Sequence, residues 1–93
     1  MAHLTIATIR HLIRTLNYVV STHAAEELED DDLSIYDIEN IILTGSITER
    51  QRDAKIHESK TVVSGATLDG SSAQVVVKTG FTGKLIVITA YVL

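Results

Sequence analysis

Ninety-three residues with 45% hydrophobic content specify one domain, residues 1–93, with a single modest core, and exclude a disordered chain. A net charge of −4, from 12 acids against 8 bases, weighs against a dedicated nucleic-acid binder, whose phosphate contacts need clustered Lys and Arg. The absence of cysteine excludes disulfides and thiolate chemistry and fits a cytoplasmic location; no apolar run reaches the length of a membrane span, and Met1-Ala2-His3-Leu4 does not open a signal peptide.

Residues 4–17 read as an amphipathic helix. Ile6, Ile9, Leu12, Ile13 and Leu16 recur at three- and four-residue spacing on one face, with Arg10, His11 and Arg14 expected on the other. Tyr18-Val19-Val20 has the β-branched and aromatic composition of extended chain. A short second helix begins near Thr22, with Ser21 or Thr22 as its N-cap and Glu26 and Glu27 early, where the dipole favours acids. Asp30-Asp31-Asp32 repel one another at the unfavourable end and stop it. A third helix is capped by Ser34, with Asp37 at the third helical position and Leu33 stapled onto Ile38. Ile35, Ile38, Ile41 and Ile42 form its buried stripe, and Gly45 is expected to end it in the left-handed conformation.

Beyond Gly45 the period becomes alternating. Strands are predicted near 46–52, 57–68, 73–79 and 84–92, with turns at Asp69-Gly70 and Gly80-Phe81-Thr82-Gly83. Connections this short imply an antiparallel meander, so the expected fold is α+β: two or three N-terminal helices followed by a four-stranded antiparallel sheet. The last strand is apolar on both faces, Leu85, Val87 and Tyr91 alternating with Ile86, Ile88, Ala90 and Val92. Helices on both sides, the favoured reading, would cover it. So would a second subunit on one side, making a homodimer.

The charge is divided along the chain. Residues 21–45 hold eight acids (Glu26, Glu27, Glu29, Asp30, Asp31, Asp32, Asp37, Glu39) and no Lys or Arg. Residues 46–93 hold six bases (Arg50, Arg52, Lys55, Lys60, Lys78, Lys84) against four acids (Glu49, Asp53, Glu58, Asp69). His23 stands at a helix start with Glu26 and Glu27 one turn on, a setting for a general acid or base or for a simple cap. His23 with one of these glutamates makes only a pair, short of the three protein ligands zinc takes, so no metal site is expected. The acidic run lacks the calcium-loop pattern and reads as a solvated face. Arg50, Arg52, Lys55, His57 and Lys60 form a basic set on the first two strands; Arg50 and Arg52, two apart, share a face and suit phosphate. Exposed strands also carry such charges for solubility and edge protection. Tyr91 fits a phosphate donor or, better, packing against the helices. No nucleotide or cofactor fingerprint occurs.

From about Val19 to Tyr91 the chain resembles a large, mostly prokaryotic family, the domain of unknown function 4258. The resemblance runs through Ser21-Thr22-His23-Ala24, then Ser34, Asp37 and Ile38, then Gly45-Ser46-Ile47-Thr48-Glu49. It continues with Gly65, Asp69-Gly70, Val75-Val76-Val77 and Ile86-Val87-Ile88-Thr89-Ala90-Tyr91. It implies a compact α+β fold like that of the small RelE- and BrnT-type ribonuclease toxins. It further implies a metal-independent endoribonuclease acting in a toxin–antitoxin system, with a protein antitoxin as partner and RNA as substrate. Under it, His23 and Tyr91 would be catalytic and Arg50, Arg52 and Lys60 would bind RNA.

Three departures cut against that activity. The family usually carries arginines four and eight residues after the histidine, where this chain has Glu27 and Asp31. It often has a histidine where Gln74 stands, and a tyrosine near Gln51. Acids in place of arginines repel RNA, so a second expectation stands beside the first: a non-catalytic interaction module using the acidic helix or the apolar sheet face.

Overall fold

The computed structural model describes residues 4–53, 55, 58–80 and 82–93; His57 of the basic set and Phe81 of the last turn lie outside the described residues. The elements are α1 (Ile6–Arg14), β1 (Tyr18–Val20), α2 (Thr22–Asp30), α3 (Ile35–Thr44), β2 (Ser46–Asp53), β3 (Glu58–Ala66), β4 (Ser72–Thr79) and β5 (Leu85–Val92). The antiparallel run β2–β3–β4–β5 is present as expected, but the sheet has a fifth strand. β1 pairs in parallel with β5, giving a mixed sheet of order β1-β5-β4-β3-β2. A parallel neighbour requires a long crossover, and everything between Val20 and Leu85 supplies it. The extended character of Tyr18-Val19-Val20 is legible locally; its partner, more than sixty residues away in chain, is not.

Each helix begins on a hydroxyl. Thr5 Oγ1 accepts from the N–H of Thr8 (3.1 Å) and Ser21 Oγ from that of Ala24 (3.0 Å). Ser34 and Asp37 form a capping box, the Ser34 N–H donating to Asp37 Oδ2 at 2.9 Å. α1 stops short of residue 17 because Leu16 turns into the left-handed region at φ 59°. Leu16, expected on the buried stripe, is therefore exposed, while Ile9 and Ile13 are buried. Arg10, expected to face outward, is half-buried and donates to the carbonyls of Ile42 (3.2 Å) and Gly45 (2.7 Å). It ties α1 to the negative end of α3, where a cation is favoured. α2 stops at the aspartates as expected, with Asp32 at φ 55° and the Leu33 N–H returning to the Leu28 carbonyl at 2.7 Å.

Gly45 does not end α3 in the left-handed conformation; its φ is −94° and ψ −168°. It is glycine for another reason. A Cβ there would lie 2.2 Å from the Ser64 carbonyl oxygen and 2.5 Å from that of Ile41. Gly65 is under the same constraint, its Cβ position lying 2.4 Å from the Ile41 carbonyl oxygen. The two glycines let the end of α3 and the start of β2 lie directly on β3.

The core is the layer between the helices and one sheet face. Ile9, Ile13, Ala24, Leu28, Ile38, Ile41 and Ile42 meet Val63, Ala73, Val75, Val77, Leu85, Val87 and Ala90. The β4–β5 register shifts between Val76 and Val77, so that Val76 opposes Thr89 while Val77 opposes Val87. Ile88 is the extra residue. This bulge overturns the simple alternation expected for the last strand: Ala90 joins Leu85 and Val87 on the helix face, and Thr89 and Tyr91 fall on the other. Among the described residues no helix packs on that second face, so the expectation of helices on both sides of β5 is not met. The helix-free face carries Val19, Val62, Val76 and Ile86 together with Lys60, Ser64, Gln74 and Tyr91.

Candidate functional site

His23 lies in the first turn of α2, directly beyond the Ser21 cap. β1 ends at Val20, so β5 from Ile88 onward has no strand on that side. α2 fills the gap with side chains instead. Ser21 donates through its N–H to the Val87 carbonyl and through Oγ to the Ile88 carbonyl, both at 2.9 Å. Glu27 Oε1 accepts the Thr89 hydroxyl and the Ala90 N–H, the latter at 3.1 Å. Asp31 Oδ2 accepts the Val92 N–H at 3.4 Å. Glu27 and Asp31 are four apart and so share one helix face. Their carboxylates meet two N–H groups of an otherwise bare strand edge, and that of buried Ala90 is a donor costly to leave unpaired. They also block that edge against strand addition.

His23 Nε2 stands 3.4 Å from Glu27 Oε1. The imidazole is mostly exposed and the carboxylate mostly covered. A histidine oriented by a held carboxylate can take up or release a proton. Glu27 Oε1, however, is already shared with Thr89 and Ala90. Tyr91 is two residues along β5 from Thr89, on the helix-free face. Its hydroxyl donates to Gln74 Oε1, Gln74 Nε2 donates to Ser64 Oγ (3.0 Å), and Ser64 Oγ is hydrogen-bonded to Thr48 Oγ1 (2.8 Å). A polar row thus crosses β5, β4, β3 and β2. Tyr91 does not pack against the helices; it heads this row.

The three RNA-binding candidates are not brought to His23, and Lys60 is not brought to the two arginines. By register, Arg50 opposes Thr61 and Arg52 opposes Ser59, whereas Lys60 opposes Gln51. The arginines therefore lie on the helix side of the sheet and Lys60 on the helix-free side. Arg50 Nη1 donates to the Leu4 carbonyl at 2.6 Å, holding the segment before α1. At about 4.8 Å per strand, β3 is roughly 10 Å and β2 roughly 14 Å from β5. Lys78, the cation on the middle strand, pairs with Glu58 at 2.5 Å. Among the described residues, no three His, Asp or Glu side chains converge as a metal site, and no helix is long and apolar enough to cross a membrane.

Gln74, Ser64 and Thr48 were not candidates by sequence reasoning, and Glu27 was read only as a neighbour of His23. The two-residue period, carried across the bulge, would have aligned Tyr91 with Gln74. The fit of Glu27 to the strand edge depends on where β1 ends, which no local pattern reports.

The family model for the domain of unknown function DUF4258 matches residues 20–92. The chain belongs to that family. The match takes in β1's last residue, α2 with His23, α3 and the whole antiparallel run β2–β5; α1 precedes it. No curated protein and no solved structure gives a significant match. In this DUF4258 member, Glu27 and Asp31 serve as backbone acceptors for β5.

Proposed function

We propose that this DUF4258 domain is a non-catalytic protein-interaction module. The observation that carries the reading is the fate of the charges around His23. Glu27 and Asp31 are engaged with the edge of β5, and Arg50, Arg52 and Lys60 lie two to three strands away on opposite faces. Cleavage of a phosphodiester by an acid–base pair needs cationic or N–H stabilisation of the charge that builds on phosphorus. The carboxylates here put negative charge at that place and use the adjacent N–H groups themselves.

A second reading keeps the RelE-like, RNA-directed toxin activity. It is favoured by one feature, the exposed His23 imidazole beside Glu27, with Thr89 and Tyr91 following on β5. Induced expression separates the two. Growth and total RNA are followed for the wild-type chain and for His23→Ala. Normal growth with intact RNA in both supports the interaction module; arrest with RNA loss that His23→Ala abolishes sinks it.

A further inference from the structure

One end of the molecule combines exposed apolar side chains with, among the described residues, no Lys or Arg. It is built where α2 ends, α3 begins, and the β3–β4 turn and the end of β5 come up beside them. The Leu68 N–H donates to Asp37 Oδ1 at 2.9 Å, and Asn40 Nδ2 donates to the Ala66 carbonyl at 2.8 Å, so the turn is held against the first turns of α3. The Val92 N–H reaches Asp31, tying β5 to the end of α2. Around this junction Leu68 and Tyr36 are each 64% exposed, Val92 38%, and Ile35, expected on the buried stripe of α3, 44%. Large apolar side chains gathered on a surface mark interaction sites more often than scattered ones do.

The charge around them chooses the partner. The segments that meet here, residues 28–37, 66–72 and 89–93, contain no Lys or Arg. Glu29 and Asp30 at the end of α2, Asp32 just beyond it and Asp69 in the β3–β4 turn are exposed. Asp69 is held below the usual carboxylate range by hydrogen bonds from Thr67 and Ser71, so its charge persists into acid. The bases of the sheet lie elsewhere: Arg50, Arg52 and Lys60 on β2 and β3 away from this turn, and Lys78 and Lys84 beside the β4–β5 turn. An apolar centre with a wholly acidic rim is complementary to one chemistry, an amphipathic segment with an apolar stripe flanked by Lys and Arg.

We infer that the surface around Ile35, Tyr36 and Leu68 docks a cationic amphipathic helix of a partner protein. The inference rests on the interaction-module reading and names its surface and partner class. It is tested on the full chain with three synthetic peptides: a Lys/Leu amphipathic helix, the same residues scrambled to remove the stripe, and a Glu/Leu counterpart. Binding is read by fluorescence anisotropy and mapped by amide chemical shifts. The expected result is shifts confined to residues 28–37, 67–71 and 92, with the amphipathic cation binding about tenfold tighter than its scramble. The double substitution Tyr36→Ser with Leu68→Ser, at exposed positions that leave the melting temperature unchanged, removes that preference. Equal affinity for stripe and scramble, or affinity unmoved by the double substitution, overturns the inference. Shifts on Val19, Ile86 and Tyr91 instead overturn it while leaving the interaction-module reading intact. That reading fails only on the separate finding of His23-dependent RNA loss.

Discussion

Replacing Glu27 with alanine tests the role assigned to α2. The substitution removes the acceptor for the Ala90 N–H and the Thr89 hydroxyl, and with it the His23 pair. Hydrogen bonds to a charged acceptor contribute about 1.5–3 kcal/mol, and a buried donor left unpaired costs about 1–3 kcal/mol. The His23 pair is exposed on one side and adds at most a few tenths of a kcal/mol, roughly the lower end for a surface ion pair. These contributions overlap, because the same carboxylate oxygen serves all three, so the expected loss is about 2–3 kcal/mol. In a domain of this size that lowers the melting temperature by roughly 10 °C or more. Urea unfolding at neutral pH gives the number directly. Glu27→Gln, which keeps an acceptor oxygen, should lose about half as much or less. A Glu27→Ala variant within about 0.5 kcal/mol of wild type, the range of an ordinary surface change, would refute the edge-capping role.

Asp37→Ala removes both the capping box of α3 and the tether to Leu68, for an expected loss of about 1–2 kcal/mol in urea unfolding. The N–H groups of Leu68 and Ser34 hold the Asp37 carboxyl below its ordinary 3.8. The stability it adds is therefore present above pH 3.8 and lost as pH falls through its lower folded value, so the gap between wild type and variant should close in acid. Gly45→Ala should be far worse than Gly70→Ala. The first drives a methyl into two backbone carbonyls; the second meets nothing within 4 Å and strains only a φ of +89°, a cost of about 1–2 kcal/mol. Comparing their melting temperatures checks the order. Burial, aided by the hydrogen bond to Glu39, pushes the Tyr18 phenol up to about 12. An ultraviolet titration should show one late tyrosine, and Glu39→Gln should bring it only part of the way back, because burial is the larger cause. Tyr18 thus favours the fold below pH 10, and that contribution declines as pH rises toward 12.

The local grammar of this chain is clear, and its long-range pairings are not. The caps Ser21 and Ser34, the aspartate stop of α2 and the turn at Asp69-Gly70 each depend on side chains acting on nearby backbone. Sequence spacing therefore reports them. Three features escaped because each is decided far away in chain. β1 joins the sheet only through β5. The bulge at Ile88 reverses which residues of β5 face the core, an inversion that a two-residue period hides. Gly45 looks like a helix terminator, yet the carbonyls of Ser64 and Ile41 set its need for no side chain. The candidate site divides the same way. His23 at a helix start is legible from its cap. The scattering of Arg50, Arg52 and Lys60 over two faces follows from the β2–β3 register, which the sequence leaves open. The acids after His23 drew notice as a charge pattern, whereas the structure gives two of them a specific task on the edge of β5.

The most direct measurement is cleavage of end-labelled RNA by purified protein, run for the wild-type chain, His23→Ala, and the double substitution Glu27→Arg with Asp31→Arg. The expected result is intact RNA with all three proteins. The double variant should also melt lower than wild type, because two arginines cannot accept the β5 N–H groups. Fragments made by the wild-type protein and lost in His23→Ala would contradict the interaction-module reading.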